Sequence, residues 1–208
     1  MLKNSILAAS AALLLAAPMT APAATAVAGA RSETIVLAGG CFWGMEGTFE
    51  HLKGVTNVVS GYAGGSASDA TYEAVSTERT GHAEAVRVTF DPQKISLGDI
   101  MKVYFTVAHD PTQTNGQYPD SGPSYRSAIF PQSPAQRTFV TAYVKSLNAT
   151  ASFKGRISTR IEGGGFYPAE AYHQHFMRDN PNHGYIQRYD VPRIKKLKAT
   201  YPALYRDW

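Results

Sequence analysis

The chain is poor in cysteine: Cys41 is the only one among 208 residues. A single thiol excludes an internal disulfide and any zinc site built on several cysteines. Charge is scarce as well, with 17% charged residues and a formal net charge of +4. So mild a balance leaves no electrostatic footprint for nucleic acid. Long apolar runs are also missing. The stretch from Ile6 to Ala17 falls short of the roughly 20 apolar residues that a bilayer span needs. What remains is an ordinary globular composition, 44% hydrophobic and 11% aromatic, sized for one folded domain.

The N-terminus reads as a secretory leader. Lys3 gives a positive start, Pro18 breaks the apolar run, and Ala21-Pro22-Ala23 has the form of a cleavage site. Cleavage after Ala26 or Ala30 fits the same pattern. The expected organisation is a leader over 1–23, a linker over 24–32, one domain over 33–190 and a basic tail over 191–208 carrying Arg193, Lys195, Lys196 and Lys198. Export to the periplasm or beyond follows, with no stable membrane association once the leader is removed. A lipid anchor on Cys41 fits poorly, because Arg31 and Glu33 separate it from the apolar run. A lone thiol in an oxidising compartment points to intermolecular pairing or a reactive sulfur.

Patterning then places the elements. Glu33 to Ala38 reads as a strand stopped by Gly39-Gly40. Phe42, Met45, Phe49 and Leu52 recur at helical spacing, so a helix starts at or beside Cys41. Val55 to Tyr62 reads as a strand, Tyr72 to Ser76 as another, and Glu84 to Phe90 alternates cleanly. A helix follows from about Ile100 to His109, then a long loop from Asp110 to Ser124 of the kind usually tied to function. Tyr125 to Phe130 is a predicted strand. Ser133-Pro134-Ala135-Gln136 opens a helix to about Leu147. Ile157 to Glu162 is a predicted strand, Pro168 to Arg178 a last helix, and the rest an irregular tail. This mixture without strict alternation predicts an α+β two-layer sandwich, a mixed or antiparallel sheet packed by helices.

Chemistry gathers around Cys41. A helix N-terminus favours an anion, so its free N–H groups would lower the thiol pKa. By position alone a buried, inert cysteine fits equally well. Phe42 falls on the core face of the helix, whereas Trp43 falls off it and suits a pocket wall. Glu84 shares a strand face with Val86, Val88 and Phe90. If buried there, its carboxyl would hold a proton near neutral pH and serve as a general acid. A position just beyond the sheet, in water, is the alternative. Tyr72, Tyr118 and Tyr125 are phenolic donors in or beside loops, and Asp120 lies in the long loop. His173 and His175 would not share a helix face, and the other histidines are scattered, so no metal is expected.

Gly40-Cys41-Phe42-Trp43-Gly44-Met45-Glu46 and Gly81-His82-Ala83-Glu84-Ala85-Val86 resemble the two signatures of the A-type peptide methionine sulfoxide reductases. Gly61-Tyr62-Ala63-Gly64-Gly65, Thr71-Tyr72, His109-Asp110-Pro111-Thr112, Tyr125-Arg126-Ser127-Ala128-Ile129 and Ala169-Glu170 with Tyr172-His173-Gln174 continue the likeness over about 34–186. The resemblance implies a ferredoxin-like core and reduction of the S epimer of methionine sulfoxide in proteins. It implies Cys41 as nucleophile and Glu84 as the acid that protonates the sulfoxide oxygen. Tyr72 and Tyr125 would hydrogen-bond that oxygen, Phe42 and Trp43 would form the methyl slot, and Asp120 would shape its polar side. A monomer is expected, and the chemistry that the resemblance implies needs no metal or organic cofactor. Two departures stand out. No cysteine follows Cys41, so an outside thiol, most simply a thioredoxin-like protein, must resolve the sulfenic acid. Ala171 stands where the family usually has an acidic residue.

Two rival readings remain at this level. One is a cysteine acyltransferase or hydrolase with His82 as base. The other is a module that grips methionine-rich segments through Phe42 and Trp43 without turnover.

Overall fold

The computed structural model describes residues 32–150 and 152–208. The expected leader over 1–23, and the linker up to residue 31, lie outside the described residues. The chain runs through β1 (Glu33–Ala38), α1 (Phe42–Glu50), β2 (Val55–Ala63), α2 (Tyr72–Val75), β3 (Ala83–Phe90) and α3 (Leu97–Val103). It continues with β4 (Gly116–Gln117), β5 (Asp120–Ser121), β6 (Ala128–Phe130), α4 (Pro134–Ala149) and β7 (Arg160–Ile161). It ends with β8 (Phe166–Pro168), α5 (Phe176–Asp179) and α6 (Val191–Thr200). No helix among the described residues is long and apolar enough to cross a membrane.

The main sheet has the order β7-β6-β1-β3-β2-β8. Its pairs are antiparallel except β6 with β7. Its central four strands, with α1 and α3 as connections, form the ferredoxin-like α+β arrangement that the sequence predicts. β1 is buried on both faces. Ile35 and Leu37 enter the large core under the helices, while Val36 and Ala38 pack with Ala63, Ala83, Ala85, Ala128 and Phe130 on the other side. Phe166 of β8 packs against this second cluster.

α1 explains why the C-terminal region is not a tail. Phe42, Met45 and Phe49 face the main core, yet Gly44 and Gly47 are buried too. A Cβ on Gly44 would lie 2.1 Å from Asp190 Oδ1, and one on Gly47 would lie 2.6 Å from Met177 Sδ. Both close approaches come from the C-terminal third. Where the sequence predicts an irregular tail, Ile186–Asp190 forms a π-helical turn leading into α6, with Leu197 fully buried. Lys195, Lys196 and Lys198 stay exposed, but Arg193 turns inward, 3.4 Å from Asp190. Gly44→Ala must therefore displace the Asp190 and Arg193 side chains packed against α1. The expected cost is roughly 1–3 kcal/mol. An unchanged urea midpoint for that variant would refute this packing argument.

Other predicted elements shift for local reasons. Tyr72–Val75 is a short helix rather than a strand, because Thr71 Oγ1 caps it by accepting the Ala74 N–H at 3.3 Å. The single helix predicted over Pro168 to Arg178 is broken up: Pro168 ends β8, Ala171–His173 is a 3₁₀ turn, and only the end of the range is α-helical, as the start of α5. Gln174 pairs with the Ser60 backbone through two bonds of 2.9 Å, holding this segment against β2. The strand predicted from Tyr125 starts only at Ala128, after a 3₁₀ turn at Pro123–Tyr125. The strand predicted over Ile157 to Glu162 shrinks to β7. The helix predicted to reach His109 ends as a π-helical turn over Tyr104–Ala108.

Candidate active site

Gly40, at φ +88°, turns the chain from β1 into α1, and a Cβ there would strike Gln117 at 2.8 Å. Cys41 is the residue that this turn delivers, at the N-cap of α1 and partly exposed. The first free amide of the helix, Phe42 N–H, donates to Glu84 Oε2 at 3.0 Å. Glu84 is 3% exposed, on the β3 face shared with Val86, Val88 and Phe90. Its carboxyl is therefore buried at the helix start, and the solvent-exposed alternative is excluded.

Burial pushes the Glu84 carboxyl up to about 8, with the charges of Asp120 and Glu78 acting in the same direction and the Phe42 N–H opposing them. The sequence-based expectation for Cys41 needs correction. Its thiol is pushed well up, first by burial, then by the carboxylates of Glu84, Asp190 and Asp120, against the amide of Trp43. The helix terminus does not prevail, because Glu84 takes its first free N–H and three acidic groups surround the sulfur. One consequence can be measured. Glu84→Gln removes a negative neighbour, so the Cys41 thiol should ionise at lower pH. Iodoacetamide alkylation followed against pH should show the midpoint moving down. A midpoint unmoved or raised would break the proposed coupling.

Aromatic groups enclose the approach. Trp43 stacks on Phe176 at 3.8 Å between centroids, and its Nε1–H donates to His173 Nδ1 at 3.2 Å. Tyr185 meets the Trp43 face edge-on at 6.0 Å. Phe42 is buried against Tyr62 and His173 at 5.8 and 5.0 Å. Tyr72 is exposed, its ring 4.7 Å from His173 and its backbone N–H donating to Glu170 Oε1 at 2.9 Å. Tyr125 is half-buried. Burial, Glu84, Asp120 and Cys41 all push its phenol up, so it stays a neutral O–H donor. Asp120, on β5, accepts a short hydrogen bond from Tyr185.

Arg126 fixes the relation between Tyr125 and Glu84. It forms a two-pronged pair with Glu162 at 2.9 and 2.8 Å and donates to the carbonyls of Gly81 and His82 at 3.1 and 3.0 Å, just before β3. In the sequence Arg126 shows only as part of a motif and Arg193 only as part of a basic run, and no pattern singles out Tyr185, Asp190 or the pairing of His173 with Trp43. The Gly44 and Gly47 spacing on α1 was the available signal for a second packed face. Tyr118, at 70% exposed, takes no part in the enclosure.

His82 cannot serve as the base of the rival acyl-transfer reading. Its Nδ1 accepts from Gly65 N–H at 3.2 Å, while Nε2 is 2.8 Å from the Ser66 carbonyl and 3.3 Å from Asp69. Both nitrogens are committed to the loop over 65–69. Ala171 is exposed in a 3₁₀ turn, so its departure from the family pattern lies at the surface.

A family model described as peptide methionine sulfoxide reductase matches residues 33–203. The chain belongs to that family. It is 50% identical over 177 residues to the peptide methionine sulfoxide reductase MsrA 2 of Mesorhizobium japonicum, covering 85% of this chain and 91% of the relative. The corresponding Synechocystis protein is 43% identical over 171 residues, covering 82% and 80%. Among solved structures, reduced Mxr1 of Saccharomyces cerevisiae superposes with a TM-score of 0.67 at 32% identity, covering 74% of this chain and 88% of that one. Methionine sulfoxide reductase A of Corynebacterium diphtheriae superposes with a TM-score of 0.62 at 35% identity, covering 73% and 76%. Methionine sulfoxide reduction is thus the activity of this chain, and the α+β fold is that of these enzymes.

Proposed function

We propose that this enzyme reduces the S epimer of methionine sulfoxide in exported proteins through a sulfenic acid on Cys41. The observation that carries the reading is the buried Glu84 carboxyl, bonded to the amide next to the only cysteine. A sulfoxide sulfur is a weak electrophile until its oxygen is protonated or strongly hydrogen-bonded. Glu84, pushed up to about 8, holds a proton at neutral pH for that oxygen. Tyr125, kept as a neutral phenol, and Tyr72 stand as hydroxyl donors to the same atom. Trp43, backed by Phe176, supplies an apolar wall for the methyl group, with Phe42 beneath, and Asp120 with Tyr185 forms the polar side.

The atoms balance simply. Cys41 thiolate attacks the sulfoxide sulfur while Glu84 gives its proton to the oxygen, and the hydroxyl then passes to the Cys41 sulfur as the S–O bond and the transient bond between the two sulfurs break. Glu84 is left as a carboxylate and takes its next proton from solvent. The products are the Cys41 sulfenic acid and methionine. A first outside thiol displaces water to form a mixed disulfide on Cys41, and a second releases the thiol. A thioredoxin-like dithiol supplies both. The leader-like N-terminus supports a role in repairing oxidised proteins outside the cytoplasm.

Single turnover tests the reading. Enzyme mixed with each epimer, without reductant, should yield one methionine per chain from the S epimer alone. Mass analysis should show one oxygen gained at Cys41. Equal consumption of both epimers, or methionine formed with Cys41 unchanged, would overturn it.

A further inference from the structure

Glu46 and Glu50 lie one helical turn apart on α1, so their carboxylates share a face. That face meets the turn before α5, where His175 sits at φ +54°. Glu50 Oε1 is 2.6 Å from His175 Nδ1, and Glu46 Oε1 is 3.7 Å from the same nitrogen. Side-chain exposure rises from 1% at Glu46 through 12% at Glu50 to 36% at His175, which leaves an entry from solvent on the imidazole side.

The hydrogen bonding of this cluster is incomplete. Glu46 Oε2 accepts from Ser60 Oγ at 3.1 Å and from the His175 N–H at 2.8 Å. Glu46 Oε1, fully enclosed and turned toward His175, accepts nothing from any described residue, and neither does Glu50 Oε2. A buried carboxylate oxygen without a donor is costly, and two side by side also repel each other. One partly exposed imidazole is a weak counterweight to two acids.

A divalent cation would satisfy all of these groups at once. One donor atom from each side chain lies within 4.8 Å of the others. Bonds of roughly 2.0 Å in a tetrahedral site place donors about 3.3 Å apart. The two separations to Nδ1 lie on either side of that value. An imidazole with two carboxylates suits a zinc-type ion better than magnesium or calcium, which prefer all-oxygen shells. We infer that Glu46, Glu50 and His175 form a binding site for a zinc-type divalent cation, completed by water. On binding, the cation takes the place of any proton held among the three side chains, and what it displaces goes to solvent without any redox change. The ion would tie α1, which carries Cys41, to the segment whose His173 and Phe176 hold Trp43. None of the three ligands is among the groups acting on Cys41. The inference therefore stands independently of the reaction proposed above.

The test uses the Cys41→Ser protein, so that the thiol cannot compete for metal. After chelator treatment it is titrated calorimetrically with zinc alone. One ion per chain is expected. His175→Gly, which fits the left-handed backbone, and Glu50→Gln are made in the same background. Each should weaken zinc binding by at least the roughly 10–100-fold typical of losing even an outer partner of a metal site. Zinc should also raise the Tm of the Cys41→Ser protein but not that of its His175→Gly derivative. No zinc uptake by the Cys41→Ser protein, or uptake that both substitutions leave unchanged, overturns the site.

Discussion

Cys41→Ser should abolish methionine sulfoxide reduction with dithiothreitol as reductant. The expected loss is on the order of 10⁶-fold, the scale on which removing a nucleophile silences covalent catalysis. Serine keeps the shape, the N-cap position and the turn made by Gly40, so the fold should persist. What disappears is a sulfur able to accept oxygen and then be freed by thiol exchange. The chain has no other cysteine to take its place. Oxidised peptide should still bind, because Trp43, Phe176 and the tyrosines are untouched. The decisive measurement is methionine released by the variant against a protein-free control. Turnover clearly above that control would remove Cys41 from the reaction.

The same residues show how far the sequence alone could reach. β1 and the helix start beside Cys41 were readable because apolar spacing changes period at Gly39-Gly40. The face of Glu84 was readable from alternation, but its burial was not. That depends on α1 and the loop carrying Asp120 closing over the end of β3. The electrostatic state of Cys41 is hidden from the sequence for a related reason. A helix terminus is a local feature, whereas Asp190 and Asp120 approach from distant segments. α6 is masked in the sequence because its exposed lysines look like a solvated tail, and only its contact with Gly44 shows otherwise. The turn before α5 looks helical in the sequence because the Gln174 pairing with Ser60 has no local signature.

Glu84→Gln should slow sulfenic acid formation by about 10²–10⁴-fold, the usual contribution of a positioned general acid. The amide can still take the Phe42 N–H on its oxygen, so the helix start is kept and only the transferable proton is lost. Peptide affinity should change little. The pH dependence gives a sharper signature. The reactive form has Cys41 ionised and Glu84 protonated, one proton shared between two groups. Its population is largest between the two apparent pKa values of the pair. The lower is about 8, from the buried carboxyl, and the upper belongs to the thiol. The single-turnover rate of the wild type should therefore rise with pH to about 8, level off, and fall again once the thiol titrates, because Glu84 then has no proton to give. In Glu84→Gln only the thiol titrates, so the low rate should climb to a plateau and stay there. Rapid-quench measurement of methionine formation across that range distinguishes the two profiles. A variant that keeps the wild-type rate, or the wild-type fall at high pH, would show that the proton comes from elsewhere.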